Sequence, residues 1–417
     1  MPLPPARIQQ MEMSELMSLH ALSAIIALGS ALYAAASIAL WIGVLRSWRS
    51  LRLRRSLVRH EDCSPRSGAQ WERHLLETPA DAPPTVSVIV PARNEAASIA
   101  ACVAALARQT YPRDRWELIV VDDRSDDGTG TIVAGLVPML PIGARVIRID
   151  QVPPGISPKK HAIATAIGTS SSDVILTTDA DCRPEPGWIA AVIAALQGTP
   201  GKAPANLVAG YSPYGGRTSL AGRLLALETL SQAFLAMAGI GLARPITCTG
   251  RSFGYRRGIF EAVGGFGEAL AMPSGDDHLF LQRAVARGFR ATYSDAPGSH
   301  VWTDPPRTWK EFVQQRIRMY SGARRLPIGV AALGAFAWGW LFLLAAGMLA
   351  LAPAAWACFG MKFAFDFVSL AIAAERLHER RLLAVYPLAA FLYLPYFLIF
   401  ALLGTFGTYR WKGTPGR

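Results

Sequence analysis

The chain has 417 residues, of which 51% are hydrophobic, and a formal net charge of +12 at pH 7. This hydrophobic content is high for a soluble protein, and the length allows more than one module. The cysteines form no Cys-x-x-Cys pair, which leaves a zinc site and a disulfide framework without support. The five cysteines stand at positions 63, 102, 182, 248 and 358.

The first apolar stretch covers residues 17–45. Residues 22–44 carry no charge and are rich in Ala, Ile and Leu, and about 20 such residues are needed to cross a bilayer. No small-residue cleavage site follows, so we predict an uncleaved anchor rather than a signal peptide. A buried core helix is the alternative.

Arginines follow this anchor closely, with six of them between residues 46 and 59. Short basic flanks stay on the cytoplasmic side of a membrane and attract anionic lipids. The net charge therefore has a membrane explanation, and no nucleic-acid partner is expected. We assign residues 1–59 to the anchor and its basic segment, and the polar residues 60–83 to a linker.

The middle of the chain alternates strands with helices. Apolar, β-branched runs predict strands, and periodic alanine-rich stretches predict helices. Strand, helix, strand at this spacing forms βαβ units, so we expect an α/β fold with a mainly parallel sheet. The predicted strands are 85–91, 116–121, 144–150 and 173–179, and the predicted helices are 95–108 and 158–168.

In open α/β sheets, ligands bind beyond the carboxyl ends of the strands. That edge would gather residues 91–95, 122–128 and 179–181. No Gly-x-Gly-x-x-Gly follows the first strand, so a classical dinucleotide site is not expected. The acidic loops suit a site that reads ribose and base through carboxylates and holds phosphates through a metal.

Asp179 and Asp181 follow the central strand at spacing i and i+2. Two hard oxygen ligands with open positions left over suit Mg²⁺ or Mn²⁺ that carries substrate phosphates. A pair of solvated loop aspartates is the alternative.

Three motifs together resemble the family 2 glycosyltransferases of GT-A fold, from about residue 86 to about residue 325. They are Val-Ile-Val-Pro-Ala-Arg-Asn-Glu at 88–95, Val-Val-Asp-Asp-Arg-Ser-Asp-Asp-Gly-Thr at 120–129 and Thr-Asp-Ala-Asp at 178–181. The family transfers a sugar from a nucleotide diphosphate sugar with inversion at the anomeric carbon. The resemblance implies that residues 84–325 form such a domain.

The resemblance also implies which residues bind the donor. Lys159 and Lys160, after Pro158, resemble the family's basic pair near the donor, and Lys160 is a candidate phosphate contact, with a solvated lysine as the alternative. Asp179 is expected among the donor-binding residues as well. For Asp126 and Asp127 we favour turn and helix-cap roles. Asp123 is the stronger candidate for contact with base or ribose. The residues expected to line the nucleotide pocket are Pro91, Glu95, Asp122 and Asp123.

A second acidic motif, Gly275-Asp-Asp-His278, matches the family's catalytic-base motif. The family pair is usually Glu-Asp, and here Asp276 takes the first place, so the base would be Asp277. Inversion needs one carboxylate that takes the proton of the acceptor hydroxyl. N-capping of the following helix is the alternative, and both roles are compatible. His278 is expected to be mainly structural.

The third motif, Gln315-Arg-Ile-Arg-Met319, lies within residues 309–325. The family pattern is Gln, Gln or Arg, any residue, Arg and Trp, so Met319 replaces a tryptophan. Gln315, Arg316 and Arg318 are expected near the diphosphate and acceptor, since arginines suit a diphosphate leaving group. Met319 offers a softer apolar contact, which puts a sugar-stacking subsite in doubt. The segment could lie at the membrane interface, with an ordinary surface helix as the alternative.

Residues 326–417 form a second apolar region, with predicted spans at 328–352, 354–374 and 382–406. Lys362 and Asp366 interrupt the middle span at spacing i, i+4. They are either a structural ion pair or functional intramembrane charges. Three spans would put the basic tail outside if the domain is inside, against the positive-inside rule, so either 354–374 does not fully cross or the tail breaks the rule.

These observations predict a metal-dependent, inverting hexosyltransferase that is a multi-pass protein of the inner membrane with its catalytic domain in the cytoplasm. The expected donor is a UDP- or GDP-sugar, and the expected acceptor is the hydroxyl of a membrane lipid or isoprenoid-type carrier. The alternatives are a processive polysaccharide synthase and a non-catalytic sensor of sugar nucleotides.

Overall fold

The computed structural model describes residues 5–48, 82–198, 204–272, 275–322, 328–411 and 414–416. The chain forms two compact units. The helical unit comprises Met1–Ala39, Pro306–Ala374 and Arg380–Arg417, and the sheet unit comprises Leu40–Pro305 with Glu375–Glu379. Most of the basic segment and of the predicted linker lies outside the described residues.

Helix α1, Pro5–Trp48, contains the predicted anchor. The first half of the sheet then alternates strands with helices, as the periodicity predicts. Its elements are β1 Val86–Ala92, α2 Ile99–Leu106, β2 Trp116–Asp123, α3 Thr129–Leu136, β3 Gly143–Ile149, α4 Pro158–Thr169 and β4 Val174–Thr177.

The second half of the sheet unit contains shorter strands and longer connections. Strands β5 and β9 form a separate antiparallel pair. The elements are β5 Cys182–Pro184, α5 Trp188–Gln197, β6 Leu207–Gly210, α6 Leu220–Gly241, β7 Phe253–Arg256, α7 Arg257–Ala262, α8 His278–Ala286, β8 Ala291–Ser294 and β9 Val301–Thr303.

The main sheet has the strand order β3-β2-β1-β4-β7-β6-β8. Only β7 runs antiparallel to its neighbours among these strands, which confirms the expected mainly parallel α/β sheet. Because β4 and β6 both run opposite to β7, the carboxyl ends of β1, β2, β4, β6 and β8 lie at one edge together with the start of β7. We call it the carboxyl edge.

The central strands are buried on both faces, as helices cover both sides of a parallel sheet. Val88 and Leu118 on one face, and Ile89 and Ile119 on the other, are fully inaccessible to solvent, which explains why the strands are continuous apolar runs rather than alternating ones. Trp188 joins this core at the start of α5, and its Nε1 donates a hydrogen bond to Ser252 Oγ at 3.0 Å.

The helical unit contains α9 Trp309–Ser321, α10 Ile328–Leu349, α11 Pro353–Arg376 and α12 Tyr386–Phe406, followed by a hairpin of β10 Tyr409–Trp411 and β11 Thr414–Gly416. Within the described residues, five helices are long and apolar enough to cross a membrane. Four of them match the predicted spans. The fifth is α6, which the sequence analysis did not identify.

The charges within α11 are paired inside the helical unit. Lys362 and Asp366 form an ion pair, and the Tyr33 hydroxyl of α1 donates a hydrogen bond to Asp366. The Lys362 ammonium also lies 5.3 Å from the centre of the Tyr33 ring and 4.9 Å from that of Tyr393. These contacts join α1 to α11 and favour the structural explanation for both charges.

Candidate active site

The loops after β1 and β2 meet at the carboxyl edge. Asn94 N donates a hydrogen bond to Ser125 Oγ at 3.0 Å, and Asp126 N donates one to Asn94 Oδ1 at 3.1 Å. Glu95 N donates one to Thr129 Oγ1 at 2.8 Å. Asn94 has a φ of 53°, in the left-handed region that non-glycine residues seldom adopt, so the loop is held in a strained conformation.

The predicted donor residues occupy this edge in different ways. Asp122 is buried, pairs with Arg148 and accepts a hydrogen bond from Ser125 N at 3.1 Å. Asp122 therefore holds the loop together. Asp123 is also buried, and it pairs with the adjacent Arg124 at 2.8 Å and with Arg93, in the loop after β1, at 4.0 Å. Its contact with a nucleoside stays a prediction.

Pro91 and Glu95 lie on the β1 side of the same loops. Pro91 is in register with Val121 of β2. The Glu95 carboxylate accepts a hydrogen bond from Ser98 Oγ at 2.6 Å. Their contact with a nucleotide stays a prediction.

Asp127 has the turn role that the sequence indicated, while the N-cap of α3 is Gly128. Its Oδ1 accepts a hydrogen bond from Thr129 N at 3.0 Å, and its Oδ2 accepts one from Ala96 N at 2.9 Å. Desolvation opposes ionisation, but these hydrogen bonds outweigh it and lower the pKa of Asp127. The side chain ties the β1 loop to the start of α3.

Asp179, Asp181 and Cys182 form an acidic cluster just beyond β4. One ligand atom from each lies within 4.8 Å of the others. Burial, and then the charges of Asp181 and Asp179, raise the pKa of the Cys182 thiol well above its ordinary value. The thiol stays protonated and donates to Asp181 Oδ1 at 3.4 Å. The two carboxylates are thus the hard ligands of the cluster, which fits a divalent cation that prefers oxygen.

Lys159 connects this cluster to the second acidic motif. Its Nζ lies 2.7 Å from Asp179 Oδ1 and 3.0 Å from Asp276 Oδ2. Burial would lower the pKa of Lys159, but the charges of Asp179 and Asp276 outweigh it and raise that pKa. The lysine is therefore charged, and the predicted metal motif and the predicted base motif share one ammonium group.

Lys160 differs from the expectation that it faces a donor phosphate. Its side chain is fully buried, and its Nζ donates hydrogen bonds to Ala269 O and, at 2.9 Å, to Met272 O. Lys160 therefore holds the loop that leads to the second acidic motif. It lies three residues before Ile163 and seven before Ile167, which are buried positions of α4. That helical spacing was the signal that Lys160 points inward.

Asp277 is held from two sides. Its Oδ2 accepts a hydrogen bond from Gly250 N at 2.7 Å, and its Oδ1 accepts one from His278 N at 2.6 Å. It is thus the N-cap of α8, as the alternative reading had it. Its Oδ1 also lies 2.9 Å from His278 Nδ1. The contact with Gly250 connects residues 27 positions apart, and nothing in the sequence indicated it.

The pKa values of this pair move apart. Burial alone would raise the pKa of Asp277, but the hydrogen bond and charge of His278 and the charge of Lys159 hold it below its ordinary value. Burial would lower the pKa of His278, but its hydrogen bond with Asp277 and the charges of Asp277 and Asp276 raise it. Asp277 is therefore an ionised carboxylate at neutral pH.

The third motif lies on α9 in the helical unit. Arg316 is buried and lies 4.8 Å from the centre of the Phe312 ring. Its Nη1 donates hydrogen bonds to Gln315 Oε1 at 3.5 Å and to Met319 Sδ at 3.2 Å. Met319 is 46% exposed. The role of these residues and of Arg318 toward the diphosphate stays a prediction.

Comparison with known proteins gave matches over the same part of the chain. Residues 87–264 match Glycosyl transferase family 2. The chain is 31% identical over 267 residues to the protein named probable glycosyltransferase YdaM of Bacillus subtilis, covering 63% of this chain and 60% of YdaM. It is 30% identical over 240 residues to glycosyltransferase AglE of Haloferax volcanii, covering 57% of this chain and 73% of AglE.

Among solved structures, the chain is similar to the mannosyltransferase PcManGT from Pyrobaculum calidifontis, determined in complex with GDP-Man and Mn²⁺. The identity is 21%, the TM-score is 0.46, and the match covers 92% of this chain and 98% of that one. The family match over residues 87–264 includes β1, β2 and β4 with their loops, and the chain covers more than two thirds of AglE. The chain therefore belongs to glycosyl transferase family 2.

Proposed function

We propose that this protein transfers a sugar from a nucleotide diphosphate sugar to an acceptor hydroxyl with inversion at the anomeric carbon. The contact of Lys159 with both Asp179 and Asp276 carries this proposal. This contact links Asp179, whose carboxylate suits a metal ion bound to a diphosphate, to the motif that contains the proposed base. Donor activation and proton removal can then take place at one edge of one sheet.

Asp179 and Asp181 are the residues that would hold Mg²⁺ or Mn²⁺. The ion, when bound, supplies positive charge to the diphosphate oxygens as the leaving group departs. Lys159 is the side chain of this chain best placed to pair with a phosphate, because its ammonium already lies among the carboxylates. Lys159 replaces Lys160 as the proposed phosphate contact, because the Lys160 ammonium donates hydrogen bonds to backbone carbonyls.

Asp277 is the proposed base. Gly250 N and the first turn of α8 fix its carboxylate, so the side chain needs little reorganisation when the acceptor arrives. The acceptor oxygen forms a bond to the anomeric carbon while its proton passes to Asp277. The bond from that carbon to the diphosphate breaks on the opposite face, and its electron pair leaves with the nucleoside diphosphate. A single displacement inverts the configuration.

The acceptor is proposed to be a hydroxyl presented at the inner membrane surface. Helix α9 carries Trp309, which is 74% exposed and stacks on Phe312 with ring centres 5.0 Å apart. An exposed aromatic residue beside Lys310 and Arg318 suits a membrane–water interface. Met319, in place of a tryptophan, favours a lipid or isoprenoid-type alcohol over a growing glycan. The sheet unit is proposed to face the cytoplasm, where nucleotide sugars are available.

The test uses membranes that contain the full-length protein, with a panel of radiolabelled UDP- and GDP-sugars. We expect one donor to be consumed and its sugar to appear in a product that extracts into organic solvent. This transfer should require a divalent cation. Asp181→Ala is expected to lose transfer and metal-dependent donor binding. The matched variant Asp126→Ala, in the neighbouring acidic loop, is expected to keep both.

Three outcomes would contradict parts of this proposal. Full activity in EDTA, or in Asp181→Ala, would remove the metal assignment. A long water-soluble polymer would favour a processive synthase. Binding of a donor without hydrolysis or transfer would favour a non-catalytic sensor.

A further inference from the structure

The segment between α11 and α12, Glu375–Glu379, belongs to the sheet unit. Two ion pairs hold it there. Arg376 pairs with Asp295, which directly follows β8, and Glu379 pairs with Arg217, in the loop between β6 and α6. The Glu379 side chain is only 9% exposed. A segment that connects two predicted membrane spans is therefore fixed to the sheet unit by partly buried charges.

Arg217 connects Glu379 to Trp302 of β9. Its guanidinium lies 4.7 Å from the centre of the Trp302 ring, and its Nε donates a hydrogen bond to Tyr214 O at 2.9 Å. A planar guanidinium on an aromatic face is a directional contact, and it depends on how the other side of the cation is held. The Glu379 carboxylate therefore helps to fix the cation that covers the Trp302 ring.

Trp302 is fixed in turn by Glu185, which directly follows β5. The indole Nε1 donates a hydrogen bond to Glu185 Oε1 at 2.9 Å, and His300 N donates one to Glu185 Oε2 at 3.0 Å. Trp302 also lies opposite Arg183 in the antiparallel pair of β5 and β9. Side-chain and backbone contacts thus join β9 to β5.

Strand β5 begins directly after the proposed metal ligands. Its first residue is Cys182, which follows Asp181 in the chain and lies in register with Thr303 of β9. Among the strands that the structure describes, β9 is the only partner of β5. The position of β9 therefore determines where the backbone of β5 lies, and with it the carboxylate of Asp181.

We infer that Glu379 is a positioning residue for the proposed metal site, acting through Arg217 and Trp302 on the strand that follows Asp181. The inference rests on the proposed function, which makes Asp181 a metal ligand. Without the Glu379 carboxylate, Arg217 loses a charged partner and Trp302 loses a fixed cover. Strands β9 and β5 are then less firmly placed, and a ligand that must be held within about 0.5 Å binds its ion less well.

The experiment measures Mn²⁺ binding directly, from the free-ion signal in electron paramagnetic resonance, on detergent-solubilised full-length protein. The binding that Asp181→Ala abolishes defines the site. Glu379→Gln removes the carboxylate at similar size. Asp295→Asn is the matched control, because it also removes one negative charge and one ion pair of the same segment, but its carboxylate follows β8 rather than β5 or β9.

We expect Glu379→Gln to raise the dissociation constant of Mn²⁺ by about 3- to 10-fold, the usual size of an effect carried through a contact network. Asp295→Asn should change it by less than about twofold. Turnover of the donor at saturating Mn²⁺ should stay close to the wild-type rate in both variants, since Glu379 does not touch the reacting groups. Glu379→Asp keeps the charge and should show a smaller loss, and it provides the comparison if Glu379→Gln does not fold.

A double-mutant cycle tests the route through Trp302. Trp302→Phe keeps a ring under Arg217 but removes the hydrogen bond to Glu185, so it should weaken Mn²⁺ binding without any change of charge. If both residues act along one route, the loss in Glu379→Gln/Trp302→Phe is smaller than the product of the two single losses.

The inference is overturned if Glu379→Gln and Asp295→Asn change the Mn²⁺ constant equally, because the segment would then act only as a tether. It is also overturned if Trp302→Phe binds Mn²⁺ like the wild type, or if the two losses multiply in the double variant. Wild-type protein that neither binds Mn²⁺ nor consumes any donor would contradict the proposed function itself, and the inference with it.

Discussion

Asp277 performs two tasks that one carboxylate can combine. As an N-cap it accepts hydrogen bonds from the start of α8, and as the proposed base it needs a free lone pair directed at the acceptor. Gly250 N and His278 fix the side chain from two sides, and a fixed carboxylate is a better oriented base than a mobile one. The structural and the catalytic explanations of this residue therefore support each other.

Asp277→Asn separates the two tasks. Asparagine keeps the size and can still cap α8, but it does not accept the acceptor's proton. We expect donor binding within a few-fold of the wild type and transfer lowered by about 10²–10⁴-fold. Donor affinity and initial rates on the same membranes check this. Transfer at a normal rate would move the role of base to Asp276 or His278.

His278 makes the stability of the sheet unit depend on pH. Its pKa in the folded protein is raised above the ordinary value of about 6.5, chiefly because Asp277 and Asp276 outweigh its burial. The protonated imidazole therefore stabilises the fold fully below pH 6.5, and this contribution is lost as the pH rises through the folded-state pKa. We expect His278→Gln to lower the thermal midpoint of detergent-solubilised protein more at pH 6 than at pH 9. An equal difference at both pH values would show that His278 is neutral in the folded protein.

At the scale of elements, α6 shows why apolar composition alone does not define a membrane span. Its 22 residues are long and apolar enough to cross, yet 61% of its apolar 18-residue window is buried within the protein, compared with 22–28% for the other four helices. It packs against β8, and its C-terminal end meets the end of α1, where Gly43 allows close contact. A Cβ on Gly43 would lie 2.8 Å from Leu242 Cγ and closer still to Ala238 O. This burial favours a core helix of the sheet unit.

A pair of glycine substitutions tests this contact. Gly43→Ala adds a methyl group against backbone that cannot move aside, and overpacking costs about 1–3 kcal/mol. Gly135→Ala, in α3, adds the same group where no atom lies within 4 Å, and alanine in a helix is favoured over glycine by about 0.5–1 kcal/mol. We expect the thermal midpoint of the full chain to fall with the first and to rise slightly with the second. A fall of similar size in both would mean that α1 and α6 do not depend on close contact.

At the scale of the whole molecule, the connection after α11 bears on the topology. Residues Glu375–Glu379 belong to the sheet unit, where Arg376 pairs with Asp295 and Glu379 pairs with Arg217. Helix α11 therefore begins in the helical unit and ends in the sheet unit. From this connectivity we expect α10 and α11 to cross the membrane in opposite directions, so that the residues before α10 and after α11 lie on the same side.

Single cysteines in a cysteine-free background test this topology with a membrane-impermeant maleimide on oriented vesicles. We expect His378→Cys, after α11, to label from the same side as Ser171→Cys on the sheet unit. Leu351→Cys, in the turn between α10 and α11, should label from the opposite side, and it is 75% exposed. Labelling of all three from one side would mean that α10 and α11 do not cross.

The tail provides a second readout in the same experiment. Glycines at the end of α12 pack against α9, since a Cβ on Gly407 would lie 3.8 Å from Ile317 Cγ2 and one on Gly404 would meet Tyr320. Helix α9 directly precedes α10 in the chain. We therefore expect Thr408→Cys to label from the side of His378→Cys, which would keep the basic tail inside and leave α12 with both ends on one side. Labelling of Thr408→Cys from the side of Leu351→Cys would mean that α12 crosses the membrane as well.

The sequence alone predicted the parallel sheet, the apolar helices at both ends, and the acidic residues Asp179, Asp181 and Asp277 that follow the family motifs. These features are local, because periodicity and short motifs report how a residue lies within its own element. Only the tertiary structure decided between Lys159 and Lys160, joined Gly250 to Asp277 and brought the end of α1 against the C-terminal end of α6. Each of these depends on contact between residues far apart in the chain, and a pattern within one element does not specify which other element will cover it.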